Sequence, residues 1–192
     1  MSKNFSIFCL LILLGSCSHS VPKSHGYHRI ELPEHQYEQL KFKQYPYFNF
    51  DISTNAAIEI LPDTTVGEWF NISYPNFNAK LHCTFLPITP SQLNEVSEDS
   101  RKFVYRHVTR ANAINERLFS NPDYRVYGVL YHLEGNVASP LQFVLTDSIS
   151  NFFRASLLFN NTPNQDSIAP VLNYIKEDME QFMESFRWGK DR

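Results

Sequence analysis

Arg125-Val126-Tyr127-Gly128-Val129-Leu130-Tyr131-His132-Leu133-Glu134, Leu141-Gln142-Phe143-Val144-Leu145-Thr146 and Phe152-Phe153-Arg154-Ala155-Ser156-Leu157-Leu158-Phe159-Asn160 are runs of β-branched, aromatic and aliphatic residues. Apolar side chains recur in them at alternate positions, the period of a strand with one buried face. Gly135-Asn136 and the segment Asp147 to Asn151 separate the runs with turn-forming residues, so the spacing predicts a three-strand antiparallel meander. The same period appears upstream in Phe48, Phe50 and Ile52, in Ile58 and Ile60, in Phe70, Ile72 and Tyr74, and in Leu81, Cys83 and Phe85. Pro75-Asn76 and Asn78 make a hairpin the natural link between the last two.

Helical spacing takes over in two places. From Pro90 onward, Leu93, Val96, Phe103, His107, Ala111, Ile114 and Leu118 recur at intervals of three, four or seven, which predicts one long helix ended by Asn121-Pro122-Asp123. After the meander, Ile168, Val171, Leu172, Ile175, Met179, Phe182, Met183 and Phe186 form a wide apolar stripe, with Ser167 as the expected N-cap and Pro170 in the first turn. A helix of this kind gains most of its stability by docking its apolar face. The expected fold class is therefore α+β: a mainly antiparallel sheet of about six to seven strands flanked by two long amphipathic helices. This order, closing on Glu184-Ser185-Phe186-Arg187-Trp188, resembles the PsbP-like sandwich.

The N-terminus reads as an address. Lys3, the apolar run Phe5 to Leu14, and Leu14-Gly15-Ser16-Cys17 follow the order of a bacterial lipoprotein signal. The run is half of the roughly 20 apolar residues that a membrane-spanning helix needs, so a processed leader is expected. Residues 1–16 are then the signal peptide and Cys17 the first mature residue, carrying two or three acyl chains of the palmitate class. At about 0.8 kcal/mol per buried CH2, two chains suffice to anchor a protein. Residues 17–26, polar and broken by Pro22 and Gly26, form a lipidated tether, and 27–192 a single globular domain. A flexible tether of that length keeps the domain within about 20 Å of the membrane.

Composition narrows the function. The net charge of −3, made more negative by loss of Lys3, disfavours nucleic acid as a partner, because phosphate neutralisation needs a basic face. Cys9 leaves with the leader and Cys17 takes lipid, so Cys83 has no disulfide partner; it shares the parity of Leu81 and Phe85 and reads as a small buried hydrophobe. Neither a Gly-rich phosphate cradle nor a Gly-x-Ser-x-Gly elbow occurs, and no cofactor is expected. His25, His28 and His35 lie near Glu31 and Glu34, but on a tether-proximal segment that reads as solvated, and no metal site is assigned. His107 falls on the helical stripe as a hydrogen-bonded, partly buried histidine, and His82 and His132 point from strands. No catalytic residue is assigned.

Longer motifs carry a resemblance. After Cys17 come Gly26-Tyr27, Arg29-Ile30 and Leu32-Pro33; then Trp69-Phe70-Asn71-Ile72 with Tyr74-Pro75; then Tyr105-Arg106-His107 with Ala111 and Ala113-Ile114. Val126-Tyr127-Gly128-Val129-Leu130-Tyr131, Gln142-Phe143, Leu145-Thr146-Asp147-Ser148, Phe159-Asn160 and Ala169-Pro170 follow in order. Over nearly the whole mature chain this resembles the gliding motility-associated lipoprotein family GldD of Bacteroidetes. The resemblance implies a noncatalytic envelope lipoprotein needed for gliding, a process tied to the type IX secretion system. Its partners would be the membrane, through the lipid on Cys17, and other gliding and secretion proteins. No acidic cluster follows Cys17, which favours a periplasm-facing position, with inner against outer membrane left open. Asp63-Thr64-Thr65, Asp147-Ser148-Ile149 and Asp166-Ser167-Ile168 resemble the O-glycosylation pattern of Bacteroidetes envelope proteins, making Thr64, Ser148 and Ser167 candidate acceptors. Asp and Ser are equally the residues of turns and N-caps. The alternative function is a periplasmic small-molecule-binding or enzymatic domain with an aromatic-lined pocket near His107.

Overall fold

The alternating segments between Ile58 and Asn160 supply six of the seven strands of one sheet. The computed structural model describes residues 30–41, 46–61, 68–106, 108–160 and 164–189. Along the chain lie β1 (Tyr37–Lys41), β2 (Phe48–Ser53), β3 (Ala57–Ile60), β4 (Glu68–Tyr74), β5 (Ala79–Pro87), helix α1 (Leu93–Tyr105) and β6 (Ala113–Asn121). They are followed by β7 (Val126–Glu134), β8 (Leu141–Thr146), β9 (Asn151–Phe159), helix α2 (Gln165–Ser185) and the short β10 (Arg187–Trp188). The large sheet has the order β3-β4-β5-β9-β8-β7-β6, antiparallel throughout, and β1-β2-β10 form a second, three-stranded antiparallel sheet.

The predicted long helix is the main correction. α1 stops at Tyr105, and Ala113–Asn121 is a strand registered along its whole length with β7, from Ala113 opposite Glu134 to Asn121 opposite Val126. The expected three-strand meander is therefore a four-strand one, and the first helix has 13 residues. Ile114 and Leu118 are four apart, a spacing that suits one face of a helix and one face of a strand alike. Their context decides between the two. Pro122–Tyr124 form a 3-10 turn closed by Arg125 in the left-handed region (φ 54°), whose N–H bonds to Pro122 O, and this folds β6 back on β7. Leu118 is 82% exposed, so no buried stripe extends the helix.

The start of α2 is also corrected. Asn164, in extended conformation, is the N-cap and accepts from the N–H of Ser167; Ser167 and Pro170 both lie inside the helix. The apolar stripe behaves as its spacing requires: all of its members are buried except Ile168, which is partly covered. It packs on one face of the large sheet, with β2 beside it. Phe50 and Phe182 are 3.8 Å apart between ring centroids, and Phe153 to Phe186, Phe143 to Phe182 and Phe48 to Phe85 lie at 5.3, 5.2 and 5.3 Å. Each such ring contributes about 1.5–3 kcal/mol on burial, with a further 0.5–1.5 kcal/mol for a well-placed pair. On the opposite sheet face α1 packs Val104 against Tyr131, Leu133 and Val137.

Replacing Phe182 by Ala removes the ring shared by both sheets and should cost about 3–5 kcal/mol in urea unfolding. Leu118→Lys should leave stability within about 0.5 kcal/mol, since the residue is an exposed strand position and not a helix core position.

Candidate functional site

One polar cluster interrupts the apolar face of α2. Asp178 lies on the buried side of the helix and is only 4% exposed. Its Oδ1 is 2.7 Å from His35 Nδ1 and accepts the Tyr37 hydroxyl at 2.9 Å. The other imidazole nitrogen, Nε2, is 3.0 Å from Glu177 Oε2, and the ring stacks on Tyr174 at 4.1 Å. Asn55 Nδ2 donates to the Tyr174 hydroxyl at 3.1 Å and to Glu34 O at 3.3 Å. Three separate parts of the chain thus converge: the segment before β1, the turn after β2 and the middle of α2.

Electrostatics at the cluster keep its phenols protonated. Burial, followed by the negative charge of Asp178, pushes the Tyr37, Tyr74 and Tyr174 phenols above the ordinary tyrosine range, so all three stay neutral donors. Among the described residues no serine, threonine or cysteine is hydrogen-bonded to the His35 ring in the manner of a nucleophile. What the arrangement can do is hold. A buried carboxylate must be matched by donors, and here the donors come from residues 35 and 37, which fastens the leading segment to α2.

Beside this clamp a cleft of about 320 Å³ opens between the β4–β5 turn and the first turns of α2. Phe77, Phe159, Ile168 and Val171 supply apolar walls, and Asn76, Asn78 and Ser167 polar tips; Ile30 closes it from the leading segment. Among the described residues no titratable side chain lines it. Phe77 joins cleft to clamp through an edge contact with Tyr174 at 5.3 Å. Ile30 and Leu32, each 40% exposed, run past this end of the domain.

The residues singled out from sequence have varied fates. Cys17, Thr64 and His107 lie outside the described residues, as do His25 and His28. Ser148 is exposed with φ 66°, and Ser167 donates its hydroxyl to Asn164 O at 3.1 Å in the first turn of α2. Cys83 is buried, which raises its thiol pKa well above the ordinary range. His82 is exposed and His132 partly buried. His35 departs from its expected place on a solvated segment, because its partners on α2 are 143 residues away and no local spacing announces them. Among the described residues no group of three His, Cys, Asp or Glu is arranged to hold a metal ion, and no helix is long and apolar enough to cross a membrane.

Asp147, the first residue of a candidate modification motif, has a structural role of its own. Its Oδ1 accepts the N–H groups of Ile149, Ser150 and Asn151 at 2.9, 2.8 and 2.9 Å, and Oδ2 accepts from the Ser150 hydroxyl and the Asn151 amide. Burial alone would raise this carboxyl, but the backbone donors outweigh it and hold its pKa below the ordinary 3.8. The left-handed Ser148 is the tip of the turn that this carboxylate staples between β8 and β9.

The comparison with known families covers most of the chain. The family model described as gliding motility lipoprotein GldD matches residues 17–188. No curated protein matches the chain.

His35→Ala should destabilise the domain by about 1–3 kcal/mol in chemical unfolding, by stripping a donor from a buried carboxylate, and should speed proteolysis ahead of β1. For Asp147 the depressed pKa contributes stability that is present above the unfolded carboxyl value and lost as pH falls through the native one. Asp147→Asn should therefore lower stability at pH 7 by about 1 kcal/mol and flatten the acid limb of a stability–pH profile.

Proposed function

The chain belongs to the gliding motility lipoprotein GldD family, and from that membership we propose a noncatalytic envelope protein that supports assembly or stability of the gliding and type IX secretion machinery through protein contacts. The lipoprotein family carries association with the cell envelope and with gliding. Lipidation of Cys17 and a periplasm-facing position complete this reading. The observation that carries it is the pairing of the family match with the His35–Asp178 clamp. The clamp fixes where the segment ahead of β1 leaves the domain, a feature that supports a scaffold held from its N-terminal side.

A second strand of the same reading concerns surface modification. Ser148, exposed at the tip of a rigid turn, is the described candidate best presented to a glycosyltransferase, whereas Ser167 is engaged in the first turn of α2. A hexose-sized mass increment lost in Ser148→Ala would identify it.

Deletion of the protein should abolish colony spreading and adhesin export, and Cys17→Ala should leave a folded, unlipidated protein that restores neither. Spreading and secretion at normal levels in the deletion strain would remove the assignment. Complementation by the unlipidated form would remove the anchor from it.

A further inference from the structure

The sheet face opposite the phenylalanine core carries two guanidinium groups that form no ion pair among the described residues. Arg154 lies mid-strand in β9, registered against Thr84 of β5 and Val144 of β8, and is partly buried. Its guanidinium is 5.4 Å from the centroid of the Phe103 ring on α1. Arg106, the C-cap of α1, reaches the same ring at 5.8 Å. Two guanidinium groups thus share one phenyl ring. Among the described residues neither forms an ion pair. Carboxylates elsewhere on the molecule are engaged: Glu59 with Lys80 at 2.8 Å, Asp99 with Lys102 at 3.2 Å, Glu180 with Arg117 at 2.8 Å, and Glu116 with the Tyr105 hydroxyl at 2.8 Å. Burial lowers the pKa of Arg154.

The surroundings suit a polypeptide partner. Trp69 lies in the same cross-strand row, through Thr84, and is 41% exposed; Phe103 is 39% exposed. Exposed aromatic rings beside an arginine are the usual composition of a protein contact. Arg154 is recessed between neighbouring strands, so a single carboxylate on an extended side chain reaches it more readily than the plane of a lipid surface. Thr84, at the same level, is five residues along β5 from Ala79 at the end where the leading segment passes, a separation of about 17 Å at 3.4 Å per residue.

We propose that Arg154, Arg106 and Phe103 form a docking site for an acidic, carboxylate-bearing segment of a partner protein. A carboxylate there meets two guanidinium groups in a partly desolvated setting, where charge-assisted hydrogen bonds are stronger than on an open surface. The site gives chemistry to one protein contact of the kind the proposed function requires, and it rests on that reading.

The test uses the full-length lipoprotein in detergent, with tryptophan fluorescence as the readout and a capped hexaglutamate peptide as the probe. Saturable, salt-sensitive binding is expected, weakened about tenfold or more by Arg154→Gln and by Arg106→Gln, and unchanged by Arg117→Gln, which lies elsewhere. Arg106 is exposed at a helix end, so its variant keeps the test decisive even if Arg154→Gln fails to fold. Absence of saturable binding, or affinity in both arginine variants unchanged from that of the unsubstituted protein, overturns the site. So does binding of anionic phosphatidylglycerol vesicles through the same two arginines, which would assign the site to lipid phosphates. No gliding readout enters, so this failure is distinct from a normal-gliding deletion strain, which would remove the proposed function instead.

Discussion

Phe182 of α2 and Phe50 of β2 face one another at 3.8 Å, at the junction where the helix, the small sheet and the large sheet meet. Neither sheet is stable alone: β1-β2-β10 is three short strands, and the large sheet has one face made of Phe, Leu, Ile and Val side chains that water would otherwise cover. The rings of Phe48, Phe153 and Phe186 extend the contact on both sides. Because these residues come from β2, β9 and the end of α2, the contact cannot form until distant parts of the chain have met. Its burial then stabilises each element in turn, and the edge positions of β10 and β1 follow from it.

With that face filled, polar groups on α2 must find partners or remain outside. Glu177 and Glu180 lie on the outer side, while Asp178 is drawn under the helix with the apolar stripe and needs donors. His35 and Tyr37 supply them, and the chain before β1 is pinned as a consequence. The clamp is thus a product of core packing as much as of local chemistry. The pinned segment is the one that enters the domain ahead of β1.

The two faces of the large sheet divide the work. One is committed to the core. The other is covered by the short α1 around Val104, Tyr131 and Leu133, and leaves Trp69, Phe103 and the recessed Arg154 at its margin. An enzyme-like constellation does not arise on either face among the described residues: the cleft near Phe77 has no titratable lining, and the three tyrosines around Asp178 are held neutral.

Much of the strand content was legible in the sequence because period-two alternation needs only local information: Phe70, Ile72, Leu81, Phe85, Phe143 and Phe153 point inward as their spacing requires. The stripe on α2 was legible for the same reason. Ala113–Asn121 was not, since Ile114 and Leu118 satisfy helix and strand spacing equally and the hairpin with β7 is what selects the strand. β10 is two residues long and exists only because Phe48 and Asn49 lie alongside it. The clamp and the Arg154 site join residues far apart in the chain, and charge and hydrogen-bond partners at that range leave no periodic trace. What the sequence determined by itself was therefore the family, the alternating strands, the closing amphipathic helix and the expected anchor at Cys17. Tertiary structure alone decided which carboxylate was buried, which donors reached it and which guanidinium was left without an acid, because those outcomes depend on what the folded core brings into contact.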